Sequence, residues 1–144
     1  MTAIHRLVES ARAGTLPRVI ARVPSGWVVL GDPQILPGYC VLLPDPVVAD
    51  LHILAADARA RFLHDMARVG DAVRQATGAM RLNYEMLGNV EPALHAHVIP
   101  RYDWEPPERR GQPVWLHDWA SAEPFDAHTH AGLMRQIAAV LDED

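Results

Sequence analysis

Six apolar residues, Leu54, Ala58, Phe62, Met66, Val69 and Val73, recur every three or four positions and make one continuous stripe along a predicted helix between Ala55 and Thr77. Gly78 is its natural stop. A helix of that length hides its stripe only against a second layer, and the flanking segments are short and β-rich. Val19 to Val23 and Trp27 to Leu30 flank Pro24-Ser25-Gly26 as a hairpin, and Tyr39 to Leu43 follows the Pro37-Gly38 turn as a third strand. Arg81 to Met86 and Leu94 to Pro100 read as two more strands joined by Leu87-Gly88-Asn89-Val90-Glu91-Pro92. Ile4, Leu7, Val8 and Ala11 suggest a short first helix ending at Gly14, and Thr129 to Leu141 a terminal one. Hairpin-type connections around a single long helix predict an α+β domain with an antiparallel sheet of about five strands, not a doubly wound parallel one.

The chain has 144 residues, 49% apolar and 22% charged, which fits one domain over 1–144, with 103–144 as a C-terminal extension of loop and helix. No window approaches the roughly 20 apolar residues of a membrane helix, so no membrane partner is expected. A net charge of −5 gives no general attraction for a phosphate backbone, which argues against nucleic acid as a partner and leaves an anionic substrate to a local site. The single cysteine, Cys40, has no internal disulfide partner, and Met1-Thr2-Ala3-Ile4-His5 lacks a secretory start, so a cytoplasmic location is expected. All 13 basic residues are arginine, which removes Schiff-base chemistry and any lysine phosphate clamp.

The segment Ala93-Leu94-His95-Ala96-His97-Val98-Ile99-Pro100-Arg101 carries the chemistry. With a side-chain period of two, His95 and His97 share one strand face with Ala93 and Ile99, roughly 7 Å apart at Cα, while Leu94, Ala96 and Val98 line the other. The apolar face is expected to pack on the long helix and the histidine face to be open to ligand or solvent. Spacing alone leaves three readings: two metal ligands lacking a third, a solvated polar face, or an imidazole nucleophile with its far nitrogen fixed by a hydrogen bond.

Asn83-Tyr84-Glu85-Met86-Leu87-Gly88-Asn89 before the pair and Ile99-Pro100-Arg101-Tyr102 after it resemble the histidine triad (HIT) superfamily, in particular bacterial members similar to diadenosine tetraphosphate hydrolases. Asp32-Pro33-Gln34-Ile35-Leu36-Pro37-Gly38-Tyr39-Cys40-Val41-Leu42-Leu43-Pro44 is similar to the family's strand, Pro-Gly turn and strand ending in proline. The likeness spans about Trp27 to Tyr102. It implies a HIT-like fold and a nucleotide phosphohydrolase or nucleotidyl transferase acting on dinucleoside polyphosphates or nucleoside phosphate derivatives. It further implies a homodimer and no cofactor or metal. By the same resemblance His95 is the nucleophile that forms a nucleotidyl-histidine, and His97 contacts the phosphate. Asn83 falls at the scissile phosphate, Asp32 at the ribose, and Asn89 and Gly88 at the phosphate oxygens, with Arg101 able to add positive charge.

The departures bear on turnover. The family's first triad histidine falls on Ala93, its additional histidine on Val47, and a frequent serine or threonine on Val90. Exchanging both members of a buried polar pair can be nearly neutral for the fold. By the resemblance the nucleophile is oriented by a backbone carbonyl at the first histidine position, which Ala93 still has, so retained chemistry is the first expectation. A nucleotide-binding protein without turnover, and a metal-dependent hydrolase using the His-x-His pair, are the alternatives. His5, His52 and His64 are expected to be structural or exposed. His117, His128 and His130, with Trp115 and Trp119, are read as a lid or packing segment, and Cys40 as a buried hydrophobe.

Overall fold

A computed structural model describes residues 1–143; Asp144, the last residue of the expected 1–144 domain, lies outside the described residues. Helix α1 spans Ala3–Arg12. Thr2 caps it: its hydroxyl accepts the His5 N–H while His5 Nδ1 accepts the Thr2 N–H, so two N-terminal donors find partners. Strands β1 (Val19–Val23), β2 (Gly26–Leu30) and β3 (Cys40–Pro44) follow, then helix α2 over Ala56–Thr77. Gly78, at φ 72°, closes α2 by donating to the Arg74 carbonyl. Strands β4 (Arg81–Glu85) and β5 (Ala96–Arg101), the one-turn helix α3 (Pro107–Arg110) and helix α4 (Ala131–Asp142) complete the chain.

The five strands form one antiparallel sheet in the order β1-β2-β3-β5-β4, the α+β architecture expected from the sequence. After α2 the chain returns at the sheet edge as β4, and the loop after it then inserts β5 between β3 and β4. The histidine strand is therefore central: His97 pairs with Val41 on one side and Glu85 on the other.

Strand alternation sorts the core into two layers. Val28, Leu30, Cys40, Leu42, Leu94, Ala96 and Val98 meet Phe62, Val69, Ala72 and Val73 of α2 and Ile137 and Leu141 of α4. Each large side chain buried there stabilises the fold by roughly 1.5–3 kcal/mol. Cys40 is fully buried among them, and burial raises its thiol pKa.

The opposite face is not the open surface the strand pattern suggested. Ile4 and Val8 of α1, together with Tyr102, Val114, Trp115 and Trp119, cover Val29, Val41, Leu43, Ala93 and Ile99 with a second apolar layer. The covering segment is irregular and proline-rich, so no periodicity in its sequence assigns it a face. Among the described residues no helix is long and apolar enough to cross a membrane.

Candidate active site

His95 stands one residue before β5 and His97 is that strand's second residue, and their half-buried rings meet edge to face with centroids 4.9 Å apart. His95 Nδ1 lies 2.7 Å from the Ala93 carbonyl oxygen. A carbonyl only accepts, so Nδ1 carries the proton and Nε2 of the neutral ring is left with a lone pair. The carbonyl belongs to the backbone, which is why the orienting contact needs no particular side chain at position 93.

His97 sits in an aromatic frame. Its Nδ1 is 2.8 Å from the Tyr39 hydroxyl, the two rings stack at 5.9 Å, and Trp115 meets it edge-on at 4.9 Å. Burial lowers the His97 pKa to about 4, with the adjacent His95 pushing in the same direction, so His97 is neutral near pH 7. Trp115 donates its indole N–H to Glu85, the cross-strand neighbour of His97, and stacks on Trp119, which in turn sets its edge against Tyr39.

Two clefts meet at His95. One, of about 460 Å³, runs between Asp50, Leu51 and His52 on one wall and Gly88 and Asn89 on the other. The second, of about 290 Å³, is bounded by the 87–91 loop, His95 and His97. Gly88 takes φ 67°, a conformation that turns the loop at the place where the clefts join. Val90 at the loop tip is 93% exposed.

The structure thus brings together His95, His97, Gly88 and Asn89. Three other expected residues lie apart. Arg101 corrects the sequence reading: it is 4% exposed, and its guanidinium is committed internally. It grips Glu105 with two N–H groups, at 3.1 and 3.0 Å, and gives the others to Asn83 Oδ1 and the carbonyls of Gln112 and Arg109. All five N–H groups are engaged, so none is left for a phosphate. Burial would raise the Glu105 carboxyl, but Arg101 and the Tyr102 N–H outweigh it and hold the pKa below the ordinary range. Asn83 lies on β4, its side-chain oxygen occupied by Arg101. Asp32 is exposed on the loop after β2, where it accepts the Phe125 N–H, and it lines neither cleft. Val47 and Ala93 pack in the same apolar layer.

Sequence reasoning missed Tyr39, Glu105 and the cleft position of His52. Tyr39 shares the alternation of Val41 and Leu43 and so faces His97, but only the β3–β5 pairing reveals it. The expected cluster of three histidines is dispersed: His117 lies 3.6 Å from Glu105, His130 stacks on Phe125 ahead of α4, and His128 is exposed. Among the described residues no group of three or more His, Cys, Asp or Glu is placed to hold a metal ion.

A family model described as HIT domain matches residues 19–104. No curated relative matches the sequence. Among solved structures, a histidine triad (HIT) protein from Sinorhizobium meliloti 1021 is 26% identical, with 84% of this chain and 87% of that chain covered at a TM-score of 0.72. A histidine triad protein from Marinobacter aquaeolei VT8 is 20% identical over 99% of this chain and 98% of its own, at 0.77. One from Bradyrhizobium japonicum is 24% identical over 84% and 87%, at 0.73. The last two are likenesses of fold.

Proposed function

The chain belongs to the HIT domain family, and from that premise we propose that it is a nucleotide phosphohydrolase or nucleotidyl transferase whose nucleophile is His95. The observation that carries this reading is the His95 Nδ1 contact to the Ala93 carbonyl, which leaves Nε2 bare where two clefts meet.

In the proposed reaction Nε2 attacks a nucleotide phosphorus in line. A P–N bond forms as the P–O bond to the leaving group breaks, and the leaving oxygen is protonated from solvent. The ring, now cationic, keeps its Nδ1–H on the Ala93 carbonyl, which stabilises the developing charge. Water, or an acceptor hydroxyl, then displaces the nucleotidyl group and restores the imidazole. His97 and Asn89 act as donors to the phosphoryl oxygens, and Gly88 lets the loop backbone come close to them. Catalysis of this kind rests on positioning and charge stabilisation. Dinucleoside polyphosphates and nucleoside phosphate derivatives are the proposed substrates. The apolar packing of Ala93 and Val47 supports a site that keeps its fold while handling protons differently.

Incubation with a panel of dinucleoside polyphosphates and phosphoramidates, followed by mass spectrometry, tests this reading. The expected result is turnover that survives excess chelator, with a nucleotidyl adduct on His95. Nucleotide binding with no turnover would instead make the chain a binding protein. We also propose a homodimer paired through the sheet edge: β4 is an edge strand with Met80 and Tyr84 exposed beside it. Sedimentation equilibrium at twice the monomer mass is the expected outcome.

A further inference from the structure

We propose that Tyr39 is a positioning residue that fixes the tautomer of His97, so that the two rings offer the cleft opposite groups: a lone pair on His95 Nε2 and an N–H on His97 Nε2. The proposal rests on the reading of His95 as the nucleophile and adds a residue that acts through its neighbour.

The seat of Tyr39 is built. Its side chain is 5% exposed, Trp119 meets its edge, and Gly31 lies beneath it. A Cβ at position 31 would stand 2.2 Å from Tyr39 Cδ2, so only glycine there lets the ring lie against the backbone. The hydroxyl is thereby held at His97 Nδ1.

The direction of that hydrogen bond follows from the donors and acceptors present. Burial raises the Tyr39 pKa, so the phenol keeps its proton. Neutral His97 has one N–H to place. If Nδ1 carried it, Tyr39 would accept and its own proton would point to no acceptor among the described residues. A buried donor without a partner is the costlier arrangement. If Tyr39 donates, both groups are satisfied and the imidazole proton sits on Nε2.

That choice matters for the chemistry. The transferring phosphoryl group gathers negative charge on its oxygens, which an N–H stabilises and a lone pair repels. His95 requires the reverse arrangement, with a bare Nε2. A backbone carbonyl sets one ring and a phenol the other.

Long-range ¹⁵N–¹H correlation spectra of the full-length labelled protein near neutral pH read both tautomers directly, with His97→Gln assigning the signals. The native protein is expected to show His97 as the Nε2–H form and His95 as the Nδ1–H form. Tyr39→Phe should convert His97 to a mixture and lower kcat about tenfold, with KM changed less than about twofold. An Nδ1–H form of His97 in the native protein overturns the proposal. So does retention in Tyr39→Phe of either the Nε2–H form or the native kcat. Absence of turnover in the native protein counts against the proposed reaction instead, and the spectra alone then decide the role of Tyr39.

Discussion

The two ends of β5 carry nitrogen bases on the same sheet face and treat them in opposite ways. At the N-terminal end His95 and His97 each give one ring nitrogen to the protein, to the Ala93 carbonyl and the Tyr39 hydroxyl, and keep the other beside a cleft. At the C-terminal end Arg101 gives all five N–H groups to Glu105, Asn83 and the carbonyls of the following segment. An arginine next to a suspected phosphate site looks like a ligand by charge alone. The contrast teaches that unused hydrogen-bonding capacity at a cleft, rather than charge or proximity in sequence, separates a binding group from a structural one.

Four perturbations test the contrast. The largest effect is expected from His95→Ala, which should reduce nucleotide turnover by a factor on the order of 10⁴ or more while moving the urea midpoint little. Turnover within about tenfold of native would place the nucleophile elsewhere. At the other end, Glu105→Ala leaves the Arg101 charge buried without its partner and should cost about 3–5 kcal/mol in urea unfolding. A loss below about 1 kcal/mol would mean that the ion pair is not structural.

Acid stability probes the N-terminal end. His97 has a folded pKa of about 4 against an ordinary 6.5, so between those values the unfolded chain binds more protons than the folded one. Its contribution is fully present above about pH 6.5 and is lost as pH falls towards 4. Urea midpoints across that window should fall with acidification, and His97→Gln should flatten the slope. The smallest effect is expected from Gly88→Ala. The added Cβ meets nothing closer than the Glu91 carbonyl at 3.8 Å, so the cost is confined to backbone strain at φ 67°, about 1–2 kcal/mol in the same assay.

The fold was legible to the extent that it is periodic. The α2 stripe with its glycine stop, the five strands and the two faces of the histidine strand all follow from spacing in the chain. The orientation of His95 was anticipated through the family resemblance alone, which implies a backbone carbonyl at position 93 as its partner. Tyr39 was not, since it reaches His97 across 58 residues through a strand pairing that no local pattern encodes. The second apolar layer escaped for a related reason: Trp115 and Trp119 sit in a segment without helical or strand period and gain their place only by packing. The fate of Arg101 turned on Glu105, four residues on but beyond the end of the strand, where no regular geometry foretells a contact.

One property of the Arg101 cluster bears on how this chain can change. Apart from Glu105 and Asn83, the guanidinium holds peptide oxygens, at Arg109 and Gln112, and every amino acid possesses such an oxygen. The tail is therefore fastened by its main chain, and the identities of the residues at those fastening points are free to drift while the indole shield over His97 stays where it is. Those points tolerate substitution cheaply, whereas a single replacement at the anchoring arginine would remove the guanidinium's hold on all of them at once.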